Sequence, residues 1–268
     1  RSTIWTSENG HAQLIGVNDI EGAILVKLVM LIGDERTYDL KKIKSNIESG
    51  NSKYKFDYEI NFYSTDNLSY NLIRFNSGAK FANYINSLST KYIPQNTIIM
   101  LDGSNDNKNT LKISSNIESF SLFSNAMLIG RNLDNENVTL EFTNSSALTH
   151  ELIYENRGII AGITFKGFKF VNQNNALTYF APILNNIGYI YCVKFEPVNV
   201  DGGAVGYVAG ILAINNGRLD FCSIKSYMIT SVGYYNNICS VNNRESQGCT
   251  AGSGSAIGSK NYYSGING

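Results

Sequence analysis

The chain has 268 residues, enough for one large domain or two small ones, and sets 22 Lys plus Arg against 22 Asp plus Glu. A formal net charge of zero excludes a general grip on nucleic acid, which needs a basic surplus. An aromatic share of 12% with only three Pro excludes a disordered composition, while 24 Gly and roughly one Asn in eight residues predict many strands and corners.

The sequence opens on Arg1 with no signal-peptide pattern after it, as expected of a processed product or an excised piece. The run "GAILVKLVMLIG" (22–33) contains Lys27 and is too short to span a membrane, so it reads as a buried strand or helix. "KKIK" (41–44) reads as a solvated helix face, in a segment where Leu40, Ile43 and Ile47 fall at helical spacing before Gly50. "KFDYEINFYST" (55–65) reads as extended. Ser77 is placed to cap a helix with Phe81, Ile85 and Leu88 on one face, closed by Pro94. Short strands follow in "TIIMLDG" (97–103), "LKISSNIESFSLFSNAMLIG" and "VTLEF".

From residue 151 the chain repeats. "LIYENRGIIAGITFKGFKF" (152–170), "PILNNIGYIYCVKFEPVNV" (182–200) and "ILAINNGRLDFCSIKSYMI" (211–229) align without gaps at a period of 30 and then 29 residues. Asn156, Asn186 and Asn215 share a column, and so do Gly158, Gly188 and Gly217. Apolar columns run through Ile160/Ile190/Leu219, Phe165/Phe195/Ile224 and Phe170/Val200/Ile229. Apolar residues recur mostly every second position, which suits a coil of short strands, one turn per repeat. Stacked Asn side chains can then hydrogen-bond along the column, with Gly accommodating the bend. The expectation is an all-β solenoid, with residues 1–76 as a non-repeat capping or assembly region holding one or two short helices. Residues 77–268 form the β-helix, clearest over 151–230.

With "SGAKFANYINSL" and "NTIIMLDG" placed as a capping helix before a first rung, the chain resembles the right-handed parallel β-helix of the pectate-lyase-like superfamily. "VDGGAV" (200–205) and "GSGSAI" (252–257) resemble the Gly-Gly-Ala-Ile repeats of adhesin-like and polymorphic-membrane-protein-type surface proteins. The superfamily holds lyases, hydrolases, tailspikes and non-catalytic adhesins, so the fold alone does not choose a function.

No catalytic constellation emerges from the columns. A glycosidase needs two carboxylates held close, yet the register sets Glu196 opposite Lys166 and Lys225, and Asp220 opposite Ala161 and Tyr191. Asp201 before Gly-Gly reads as a turn former. His11 and His150 have no partners at ligand spacing, and the four Cys contain no Cys-x-x-Cys, so neither metal nor cofactor is expected. Cys192 and Cys222 read as core thiols, close enough on adjacent rungs for a bridge. Cys239 and Cys249 flank an Asn-rich loop and are the better disulfide candidates in an oxidising compartment. Sequons stand at Asn67, Asn137 and Asn144.

The expected role is non-catalytic: an extracellular or cell-surface display rod or fibre subunit. Its partners would be glycans or further copies of the chain at an open sheet edge, with neither nucleic acid nor a membrane span. A polysaccharide-binding or -degrading protein is the alternative. No cap for the C-terminal edge is legible in "GSGSAIGSKNYYSGING".

Overall fold

The computed structural model describes residues 5–8, 11–14, 59–63, 69–103, 109–124, 126–131 and 137–268. The segments 22–33 and 37–50 and the sequon Asn67 lie outside the described residues. Trp5–Glu8 and His11–Leu14 pair antiparallel with each other.

The chain from residue 69 winds as a parallel β-helix, and each full turn has four legs. In the clearest turn these are Ile153–Asn156, Ile159–Ala161, Ile163–Lys166 and Phe168–Val171. Each leg pairs in parallel with its counterpart one turn later, so four sheets run along the coil. The register is the one the repeat predicts: Asn156↔Asn186↔Asn215, Ile160↔Ile190↔Leu219 and Phe170↔Val200↔Ile229. A further turn places Asn242 over Asn215.

Like residues stack on like inside the coil. Ile160, Ile190 and Leu219 are fully buried, as are Phe165 and Phe195, whose rings stack at 4.8 Å. Each buried aliphatic or aromatic side chain of this kind contributes on the order of 2 kcal/mol through lost water contact. The three corner glycines are needed for space, not for a left-handed backbone. A Cβ on Gly188 would stand 2.1 Å from the Gly158 carbonyl oxygen, and one on Gly217 would stand 2.2 Å from that of Gly188. Those carbonyls accept hydrogen bonds from Tyr189 and Arg218 amides at 2.9 Å, so the rungs cannot move apart. The left-handed corner falls in another column, through Gly162, Cys192, Phe221 and Gly248, at φ between 52° and 67°.

The coil extends upstream of the clear repeat. Thr97–Asp102 pairs with Met127–Arg131, and Thr110–Ile113 with Val138–Phe142. The second-leg sheet runs further back through Ser69–Phe75 and Glu59–Tyr63, the latter strand antiparallel. Helix α1, Gly78–Ser87, stands where the first turn would place its third leg. Its cap is Ser77, whose Oγ accepts the Lys80 amide at 3.3 Å, and it buries Phe81, Ala82 and Ile85. It lies against the leading strand Thr110–Ile113: Gly78 has no room for a Cβ beside Lys112, and the Asn86 amide bonds the backbone of Asn116 and Glu118. One edge is thus covered by the helix.

The opposite end departs from expectation. The last residues turn back antiparallel across the final first-leg strand, Cys239–Asn242. The Ile238 and Cys239 amides donate to the Ile266 carbonyl, and the Ile266 amide donates to the Cys239 carbonyl at 2.9 Å. A Gly- and Ser-rich segment lacking any helical or Pro signal therefore caps that leg as a strand-like lid. On the fourth leg, Gly254–Lys260 is the last strand of its sheet among the described residues, with Ile257 exposed.

Candidate functional site

Two lines of amide side chains run along the first-leg corner, one inside and one outside. The inner line is the expected ladder. Asn156 Nδ2 donates to Asn186 Oδ1, Asn186 Nδ2 to Asn215 Oδ1, and Asn215 Nδ2 to Asn242 Oδ1, each at 2.8 Å. The first three Asn are fully buried, and the second Nδ2 hydrogens of Asn156 and Asn186 reach the Tyr189 and Arg218 carbonyls. Burial without such partners would cost each amide about 1–3 kcal/mol.

The outer line was not legible as a column and donates in the opposite sense. Asn243 Nδ2 donates to Asn216 Oδ1, Asn216 Nδ2 to Asn185 Oδ1, and Asn185 Nδ2 to Glu155 Oε2. It ends on a carboxylate whose other oxygen accepts Arg157 Nε–H. Beside this line lies a groove of about 440 Å³, with Tyr154, Tyr179 and Leu177 among its walls and Leu184, Ala213 and Ile214 beneath. The strand pattern positions it. Leu184 and Ala213 alternate outward from the inward Ile183 and Leu212, while Leu177 comes from the loop after Val171 and Tyr179 from the short strand Tyr179–Phe180. The groove offers amide donors and acceptors along one side and aromatic and aliphatic surface on the other.

The acids of the repeat are kept apart. Glu155 lies on the first leg, while Asp220 lies on the second, paired through Oδ2 with Arg218 Nε at 2.5 Å and the Tyr189 hydroxyl at 3.1 Å. Burial first, and then the charge of Asp220, push the Tyr189 hydroxyl above the ordinary tyrosine range. Asp220 Oδ1 is buried and has no hydrogen-bond partner among the described residues. Glu196 meets Lys225 at 3.5 Å, as the register predicts, and Asp201 caps a turn by accepting the Gly203 amide. His150 Nδ1–H donates to the Glu151 carbonyl. Among the described residues no group of three His, Cys, Asp or Glu could hold a metal ion, and no helix is long and apolar enough to cross a membrane.

The sulfur positions revise part of the sequence reading. Cys192 is not a core residue: it occupies the left-handed corner at φ 52° and is partly exposed. Cys222 is fully buried, as expected. Cys239 lies on the first leg with Sγ 3.2 Å from the Val241 carbonyl, while Cys249 lies one turn beyond Cys222 on the approach to the third leg. All four are free thiols here. Of the sequons, Asn137 commits its Nδ2 to Thr164 Oγ1 and the Cys192 carbonyl, and Asn144 Oδ1 accepts the Ser146 amide.

Fold and site together define a parallel β-solenoid with turns of about 29 residues and a short helix at its N-terminal end. No family model, curated protein or solved structure matches the chain.

Proposed function

We infer that the chain is a non-catalytic, extracellular, adhesin-like display rod whose outer groove holds sugar chains. The carrying observation is the outer line Glu155, Asn185 and Asn216, hydrogen-bonded from turn to turn and lining one groove with Tyr154 and Tyr179. A coil whose rungs are locked by inner amides holds such a line without ordering cost on binding. The pairing of Glu155 with Arg157 and of Asp220 with Arg218, on different legs, supports a role without cleavage. The adhesin-like assignment draws on the resemblance of "VDGGAV", whose Gly202–Gly206 loop leads between two fourth-leg strands.

Antibody labelling of intact source cells tests location; labelling that appears only after permeabilisation defeats the surface role. A glycan array tests the groove. Retention that falls at least tenfold in Tyr154→Ala is expected, and retention unchanged by that variant removes the groove from the reading.

One observation favours the alternative of a polysaccharide-degrading protein. The orphaned Asp220 Oδ1 beside Tyr189 is an acid with unused hydrogen-bonding capacity. Reducing-end or unsaturated-product release from a polysaccharide panel, lost in Asp220→Asn, would establish it in place of the display rod.

A further inference from the structure

We propose that Cys222 and Cys249 are a two-thiol modification site, joined as a disulfide by exchange with a small-molecule disulfide such as oxidised glutathione. The assignment rests on the register of the third-leg sheet. Val138 pairs with Ile163, Lys194 with Ser223, and Ser223 with Thr250. One residue before each of the last two pairs, the same inward column runs through Val193, Cys222 and Cys249. Val138, Ile163, Val193 and Cys222 are all fully buried. Cys222 and Cys249 are therefore vertical neighbours pointing the same way on adjacent parallel strands. The Thr250 amide donates to the Cys222 carbonyl at 3.0 Å, so the strands are bonded at the pair itself. Strands about 4.8 Å apart bring the Cα atoms inside the span a disulfide bridges, about 4.4–6.8 Å.

The two sulfurs are chemically unequal. Cys222, as the immediate neighbour of Cys249, favours the Cys249 thiolate and lowers its pKa to about 7. Burial pushes Cys222 well above the ordinary thiol range. Cys249 is also the partly exposed member. The order of events follows. The Cys249 thiolate attacks one sulfur of oxidised glutathione, and a glutathione thiolate leaves with the electron pair of the broken S–S bond. Cys222 then gives up its proton and attacks Sγ of Cys249, expelling the second glutathione. Two protein thiols are oxidised to one disulfide, the reagent is reduced to two thiols, and the two protons end on the departing glutathiones.

The other cysteines are placed outside this exchange. Cys192 stands in the neighbouring corner column, and Cys239 turns its sulfur to the Val241 and Ala213 carbonyls on the first leg. The bond encloses one complete circuit of the coil, through Tyr227–Asn236, Cys239–Asn242 and Ser246–Gln247. It would close the final turn into a covalent ring, so that this turn cannot peel away from the one before.

The native chain is incubated with oxidised glutathione at pH 8, alkylated in acid and mapped by peptide mass spectrometry. The expected product links the Cys222 and Cys249 peptides, with Cys192 and Cys239 alkylated. Cys222→Val, which copies Val193 in the same column, should trap glutathione on Cys249. Cys249→Ser should leave Cys222 unmodified. Adduct formation in Cys222→Val should accelerate as pH rises, following the thiolate of Cys249. The linked chain should melt at least about 5 °C higher than its reduced form. A native-state link from Cys239 to Cys249, or no link at all, overturns the proposal.

Discussion

Asn156, Asn186, Asn215 and Asn242 repeat one residue type along the buried corner of the coil, whereas Lys112, Glu141, Lys166, Glu196 and Lys225 alternate in sign along its outside. Lys166 meets Glu141 at 2.9 Å and Lys225 meets Glu196 at 3.5 Å. The difference follows from what each group can do. A carboxamide carries both donor and acceptor, so identical residues complement one another indefinitely. A charge complements only its opposite, so an ionic column must alternate. The two columns also differ in what they detect. Sliding by one turn sets Asn on Asn as before, but it brings Lys onto Lys. The inner column stabilises stacking of any turn on any other, and the outer one distinguishes neighbouring turns.

The largest effect should come from breaking the inner line. Asn186→Ala removes the link between Asn156 and Asn215 and should cost about 2–4 kcal/mol in chemical denaturation. Next comes the corner behind it. Gly188→Ala drives a Cβ into the Gly158 carbonyl and should cost about 1–3 kcal/mol, with a loss of amide-exchange protection in the two flanking turns. Asn185→Ala, in the outer line, should stay within about 1 kcal/mol, since that line is part-exposed. The smallest effect is expected from Glu196→Lys, within about 1 kcal/mol and fading in high salt because the pair is screened. If Asn186→Ala proved no more damaging than Glu196→Lys, the contrast between the columns would collapse.

These contrasts also mark how far the sequence could be read. The repeat was legible where turns keep nearly equal length, from Ile153 to Ile229, because gapless alignment exposes every column. Upstream turns hid because their legs are unequally spaced: Phe120 pairs with Ile153 and Met127 with Ile159, while Val138 already pairs with Ile163. The lid formed by Ser264 and Ile266 has no pattern of its own, since it is held mostly by main-chain bonds to a distant strand, with the Ser264 hydroxyl donating to the Ser240 carbonyl. Cys192 looked like a core thiol because it sits between apolar residues. Its φ of 52° is imposed by the corner that Gly162 and Gly248 fill in other turns. The outer groove escaped notice because Asn216 meets Asn185 across a diagonal, not within a column.

The alternating charges carry a consequence for how such a gene can lengthen. Duplicating a single turn, a segment of 27 to 30 residues, would leave the amide ladder intact. The same duplication would set two like charges on adjacent rungs. Duplicating two turns together restores the alternation and is silent in both columns. Length variants of this chain should therefore be tolerated most readily when they gain or lose turns in pairs, with the outer charges acting as a parity check on recombination.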